Sequence, residues 1–182
     1  MLKIRKAYKV RLKTNHDIEH KLTCFCGSAR FLWNKSLAMN LDRLEKKQSI
    51  LWYNELAFWL TQWKRSEEYG FLKECPSQVL QQKLKDLERA FKDGFDKSQP
   101  LKRVPVFKKK GLNDGIRFPQ GFKLDNRRIF LPKLGWIGFH KSCEIIGKIK
   151  NITITSRGGL WYASIQVEQL IEIGKHASDS EL

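Results

Sequence analysis

Apolar residues recur along this chain with two different periods. Over the first dozen residues Tyr8, Val10 and Leu12 alternate with Lys9, Arg11 and Lys13, the period of two that turns one face of a β-strand to a core and the other to water. From Asn15 the step lengthens: Ile18, Leu22, Phe25, Ala29, Leu32, Leu37, Leu41 and Leu44 are mostly three and four residues apart. That spacing predicts a long amphipathic helix, with Asn15 as its N-cap. A second helix is predicted over 50–66, where Leu51, Leu56, Trp59, Leu60 and Trp63 share a stripe and Trp52, Tyr53 and Phe58 lie off it. A third is predicted from Pro76 or Ser77, residues suited to a helix start. It carries Leu80, Leu84, Leu87, Phe91 and Phe95 inward and leaves Gln78, Gln81, Gln82, Lys85 and Arg89 to its other faces.

After Ser98 the pattern returns to short strands, predicted at 104–107, 115–118, 122–124, 129–131, 136–139, 148–155 and 161–167, with hairpin turns at Asp125-Asn126 and Gly158-Gly159. So many short strands, together with the one at the N-terminus, are expected to close into a small barrel that leaves no open edge. The fold expected is therefore α+β: a small antiparallel β-barrel made of residues 1–14 and 98–170, interrupted by an inserted three-helix domain over 15–97. Residues 171–182 are polar and acidic without periodicity and read as a disordered tail.

Charge adds a partner to this picture. The chain has 35 Lys and Arg against 19 Asp and Glu, a formal charge of +16, and such an excess is self-repelling unless a polyanion accompanies it. It is concentrated in residues 101–160, which hold 14 basic and 3 acidic side chains, or +11 of the total. Lys102, Arg103, Lys108, Lys109, Lys110, Arg117, Lys123, Arg127 and Arg128 of this stretch, with Lys9 and Arg11 of the first strand, are candidate RNA phosphate contacts, each of which would release counterions. Arg30, on the first helix, is placed to meet either a phosphate or an acidic side chain.

Other chemistry is sparse. The cysteines Cys24, Cys26, Cys75 and Cys143 have neither zinc spacing nor the density of a disulfide scaffold, so free thiols are expected. His16, His20, His140 and His176 show no metal spacing, and no Ser-His-Asp order, phosphate loop or paired carboxylate stands out. No catalytic residue, metal or cofactor is expected. Nothing approaches the roughly 18 apolar residues of a membrane span, so a cytoplasmic protein without a membrane partner is expected.

Several stretches are similar to one family, in the family's order. They are Tyr8-Lys9-Val10-Arg11-Leu12; Gly27-Ser28-Ala29-Arg30-Phe31-Leu32-Trp33-Asn34; Pro76-Ser77-Gln78-Val79-Leu80-Gln81-Gln82 with Leu87-Glu88-Arg89-Ala90-Phe91; Val104-Pro105-Val106-Phe107-Lys108-Lys109-Lys110; Ile129-Phe130-Leu131-Pro132-Lys133-Leu134-Gly135-Trp136; and Gly147-Lys148-Ile149-Lys150-Asn151 with Trp161-Tyr162-Ala163-Ser164. They resemble the N-terminal half of the TnpB, or OrfB-type, transposon-encoded RNA-guided endonucleases.

The resemblance implies a wedge-like barrel interrupted by a helical recognition domain. Such a lobe holds a guide RNA scaffold and reads a short motif in double-stranded DNA beside the target. It assigns motif contacts to Tyr53, Ser77, Gln78, Gln81, Phe118 and Gln120, of which Tyr53 and Phe118 suit core packing somewhat better than contact. In the family a RuvC-like nuclease fold and a zinc ribbon follow. This chain stops where that fold would begin, with only Asp179 and Glu181 nearby, so a binding lobe without cleavage activity is expected, with the missing nuclease half as a further partner. The alternative is an RNA-guided or direct DNA-binding transcriptional regulator derived from a transposase.

Overall fold

A computed structural model describes residues 2–111 and 114–171. It contains seven strands and three α-helices: β1 (Leu2–Lys13), α1 (His16–Glu45), α2 (Tyr53–Arg65), a 3-10 turn (Gly70–Lys73), α3 (Ser77–Phe95), β2 (Gly115–Phe118), β3 (Lys123–Asp125), β4 (Arg128–Leu131), β5 (Gly135–His140), β6 (Lys148–Arg157) and β7 (Leu160–Ile171). The fold is α+β, with all three helices inserted between β1 and β2. The acidic tail and its Asp179 and Glu181 lie outside the described residues.

Local chemistry accounts for the helix starts. Asn15 caps α1 by accepting the Ile18 amide at 2.9 Å, and the Glu55 carboxylate accepts the amide of Trp52 at 2.7 Å at the start of α2, each satisfying an amide that the helix leaves orphaned. α3 has Pro76 at its cap position and no side-chain cap. The buried Asn40 ties α1 to the next segment by donating to the Leu51 carbonyl at 3.0 Å and accepting the Leu51 amide at 2.7 Å. Leu22, Phe25, Leu32 and Leu37 of α1 pack with Leu56 and Leu60 of α2 and Leu80, Leu84 and Leu87 of α3.

All strand pairs are antiparallel, in the order β2-β6-β7-β1-β5-β4-β3. Register keeps one face apolar throughout: Phe118 opposes Ile152, Ile152 opposes Ile165, Val10 opposes Ala163, Leu12 opposes Phe139 and Ile129 opposes Ile137. All of these are buried and continuous with the helical core. Gly158 and Gly159 turn the β6–β7 hairpin with φ of 59° and 73°, the left-handed geometry that a two-residue loop between right-twisted strands requires. The β3–β4 turn sits at Asn126 and Arg127, one residue later than its sequence suggests.

Two expectations are corrected. Residues 104–107 form no strand; their segment lies along α1, where side chains satisfy its backbone. Among the described residues the barrel does not close by strand pairing either, because β2 and β3 end the order and make a half-barrel. The β2 edge is covered by α1 and α3, and Lys83 of α3 donates to the Gly115 carbonyl at 3.2 Å. A helix and its lysine thus take the place of an eighth strand. Burial in this position lowers the Lys83 pKa, Lys108 lowers it further and Asp86 opposes the shift.

Candidate nucleic-acid interface

The outward face of the sheet collects cations from separate strands. Lys9, Arg11 and Lys13 project from β1 opposite the apolar Val10 and Leu12. Lys9 and Arg11 face Ser164 and Tyr162 of β7, while Arg11 and Lys13 face His140 and Gly138 of β5. Gly138 is also the partner of Arg128, and the Lys13 stem lies over that glycine. Parity continues the face through Trp136, Phe130 and Lys123 on one side and through Thr153 and Arg117 on the other. The Lys9 ammonium lies 4.9 Å from the Tyr162 ring centroid, and Arg11 Nη2 donates to His140 Nε2 at 3.1 Å.

Acids are few on this face. Asp125 takes Arg128 at 2.7 Å, and Glu168, at the other end, takes Lys3 at 3.1 Å and Lys150 at 3.6 Å. The Lys3 hydrogen bond, followed by the charges of Lys150, Lys3 and Arg5, holds the Glu168 carboxyl below its ordinary pKa. Between these two acids Lys9, Arg11, Lys13 and Lys123 have no carboxylate within ion-pair distance among the described residues.

A second polar surface runs along α3. Ser77, Gln81, Lys85 and Arg89 succeed one another at intervals of four and are all exposed, so they form one stripe. Tyr53, the first residue of α2, lies beside it: its amide donates to Glu88 Oε2 at 3.0 Å, and Lys85 Nζ stands 5.1 Å from its ring centroid. At the N-terminal end of the stripe Ser77 Oγ accepts from Lys64 at 2.9 Å. Burial lowers the Lys64 pKa, Cys75 opposes this and the charge of Lys133 adds to it.

Gln78 packs its side-chain amide against Gly121, and its Oε1 is buried without a hydrogen-bond donor. Gln120, exposed and next to Gly121, shares this corner. Four of the six residues assigned to motif reading are therefore brought together, and Tyr53 flanks their stripe. Phe118 is not: it is fully buried in the sheet core, so its role is packing.

The basic segment that leads from α3 to β2 is anchored, not free. Trp33 Nε1 donates to the Val106 carbonyl at 3.0 Å. Asn34 donates to the Lys108 carbonyl at 3.0 Å and accepts the Lys108 amide at 2.8 Å. At its start the segment crosses α3 so closely that a Cβ on Gly94 would come within 2.8 Å of the Arg103 carbonyl oxygen. Lys109 and Lys110 point to solvent, Lys108 lies over the Trp33 ring at 4.3 Å, and Lys102 pairs with Asp93 at 3.4 Å. Arg30 takes the acidic one of its two possible partners, donating to both oxygens of Asp114 at 3.0 Å. Arg117 lies 3.5 Å from Asp86.

All four cysteines are free, and burial pushes the Cys26 and Cys75 thiols up to about 12. Among the described residues no group of His, Cys, Asp and Glu could hold a metal ion, and no helix is long and apolar enough to cross a membrane.

Residues 1–49 match the OrfB_IS605 helix-turn-helix domain. The chain is 42% identical over 181 residues to InsQ of Escherichia coli K12, a protein named as a candidate RNA-guided DNA endonuclease; the match covers 98% of this chain and 44% of InsQ. Over this stretch the chain is similar to OrfB-type sequences. A Streptomyces pristinaespiralis protein, also named as a candidate RNA-guided DNA endonuclease, is 26% identical over 175 residues, or 94% of this chain and 43% of its own length. The chain thus spans less than half the length of these relatives.

The part of the chain that matches the helix-turn-helix domain contains β1, α1 and the turn after α1; α2 begins beyond it. The cationic strand and the helix that anchors the basic segment therefore belong to the matched unit, and the α3 stripe does not. Sequence reasoning missed Asn34, His140, Tyr162, Phe130 and Trp136 as parts of these surfaces. For the last four the signal was present, because strand parity puts them on the same face as the cations. Asn34 gave none, since its partner is a backbone far along the chain.

Proposed function

We propose that this chain is the nucleic-acid-gripping lobe of an RNA-guided DNA endonuclease, binding guide RNA scaffold and a short target-adjacent DNA motif and leaving cleavage to other parts. The observation that carries the reading is the outer sheet face, where Lys9, Arg11, Lys13 and Lys123 from separate strands share one surface without neutralising carboxylates among the described residues. Such a face suits a folded RNA, which is gripped through backbone and shape. The separate α3 stripe has what a base-reading helix needs: exposed Ser77 and Gln81, and Lys85 and Arg89 beyond for the flanking phosphates.

The test compares binding of the full chain to transcripts from its own locus and to length-matched scrambled RNA, across salt concentrations. Preferential binding that persists at physiological salt is expected, with a log–log salt slope of about −0.7 per single-strand phosphate contact. Equal binding to both RNAs that salt abolishes would overturn the RNA assignment. Mg²⁺-dependent cutting of target DNA by the chain alone would overturn the division between gripping and cleavage.

A further inference from the structure

The β4–β5 hairpin shows water a large aromatic surface in the middle of a cationic field. Trp136 is 45% exposed. Its strand neighbours Ile137 and Phe139 point to the core and are 1% exposed, so Trp136 is outward by strand parity and is not a failed core residue. Its surroundings hold the ring and leave it partly exposed. Phe130, its cross-strand partner, meets it edge to face with centroids 5.7 Å apart and planes at 64°. The Arg128 guanidinium lies 5.2 Å from the indole centroid and is braced by Asp125 at 2.7 Å. Lys123 Nζ stands 6.0 Å from the Phe130 centroid, and Lys13 reaches over Gly138, the residue between Arg128 and β1 in the ladder.

We propose that this hairpin is a stacking platform for unpaired RNA, with an exposed base packed on the Trp136 indole and Arg128 guanidinium and Lys123 and Lys13 on the flanking phosphates. The chemistry of the patch selects this occupant. A duplex keeps its base faces stacked on one another and has no use for an indole, whereas an unpaired base offers a bare π-face that aromatic and guanidinium planes cover. Cations at the rim of the rings suit a chain with a phosphate on either side of each base. The choice of RNA over DNA rests on the proposed role of the lobe in holding guide-type RNA.

The test uses the full chain labelled with 5-fluorotryptophan. Its six tryptophans are expected to give separate ¹⁹F resonances, of which Trp136→Phe identifies the relevant one. The probes are an oligoadenylate RNA of about eight nucleotides, within the span of single-strand sites, the DNA of the same sequence, and a blunt RNA duplex. The RNA single strand is expected to move the Trp136 resonance more than the other five. Trp136→Ala is expected to weaken single-strand binding by about 5- to 100-fold, Trp136→Phe by less, and neither to change duplex binding by more than about twofold.

A Trp136 resonance that stays put at saturation would overturn the platform, as would single-strand affinity of Trp136→Ala within about twofold of the parent. Equal affinity for the DNA strand would overturn its assignment to RNA. If Trp136→Ala does not fold, the resonance of the unsubstituted protein and the Trp136→Phe affinity still decide. Loss of the locus-transcript preference with the Trp136 response intact would strike the proposed function and spare the platform; the reverse result would do the opposite.

Discussion

The Arg11–His140 pair is the residue-scale feature with the clearest consequence. Arginine can only donate, so the 3.1 Å contact from its Nη2 makes His140 Nε2 an acceptor and the imidazole neutral. Slight desolvation lowers the His140 pKa, and the charges of Arg11 and Lys13 lower it further. For a histidine depressed in this way the contribution to stability is fully present above its unfolded value of about 6.5 and is lost as pH falls through the folded value. A phosphate seated among these cations reverses the balance, because its charge favours the imidazolium. RNA binding is therefore expected to take up a proton and to tighten several-fold as pH is lowered from about 7.5 to about 5.5, with His140→Gln flattening that dependence. Affinity measured across this range in both proteins checks it; a parent as flat as the variant would place the RNA away from His140. Phe118 and Arg30 show the other side of residue-scale reasoning. A buried phenylalanine and a surface one look alike in sequence, and so do an arginine paired with Asp114 and one awaiting phosphate, because the deciding partner is distant in the chain.

At the scale of elements, what could be read in advance depended on how local the cause was. The β1 faces, the Asn15 cap, the inward stripe of α3 from Leu80 to Phe91 and the Gly158-Gly159 turn were legible, since each follows from residues within a few positions of one another; Phe95, expected inward with that stripe, is exposed at the end of the helix. The open edge of the half-barrel was not, because closure depends on which distant strands meet and on Lys83 of α3 capping a carbonyl of β2. Nor was the path of residues 104–107, whose Val104 and Val106 alternate as a strand would while Trp33 and Asn34 bind the backbone there. That path is testable. Asn34→Ala removes two hydrogen bonds to Lys108, at about 0.5–1.5 kcal/mol each, so a stability loss of roughly 1–3 kcal/mol is expected in denaturant titrations. Faster trypsin cleavage at Lys108, Lys109 and Lys110 should accompany it. Unchanged proteolysis in the variant would mean that the segment is held by something other than α1. The candidate platform was half legible: outward parity at Trp136 follows from Ile137 and Phe139, but the braced Arg128 and the edge-on Phe130 require the folded hairpin.

At the scale of the whole molecule the excess of cations sets a standing cost that the core must offset. A formal charge of +16 on a chain of this size gives a mutual repulsion that ion pairs such as Arg30–Asp114 and Arg128–Asp125 relieve only locally. Two opposed salt effects follow, and their sizes decide the sign. Salt weakens exposed pairs, each worth about 0–1 kcal/mol. It also screens the longer-range repulsion once the Debye length drops to about 10 Å near 0.1 M. Because the outer sheet face sets Lys9, Arg11 and Lys13 on one strand and Lys123 on another with few acids between them, the repulsive sum outweighs the pairs. The melting temperature is therefore expected to rise by a few degrees as sodium chloride goes from about 20 to about 200 mM. RNA at micromolar concentration should raise it further at constant ionic strength, since a ligand bound only by the folded form adds RT ln(1 + [L]/Kd). Thermal unfolding followed by circular dichroism measures both. A melting temperature that fell with salt would show that the ion pairs govern stability, and the cations of the sheet face would then need no polyanion to offset them.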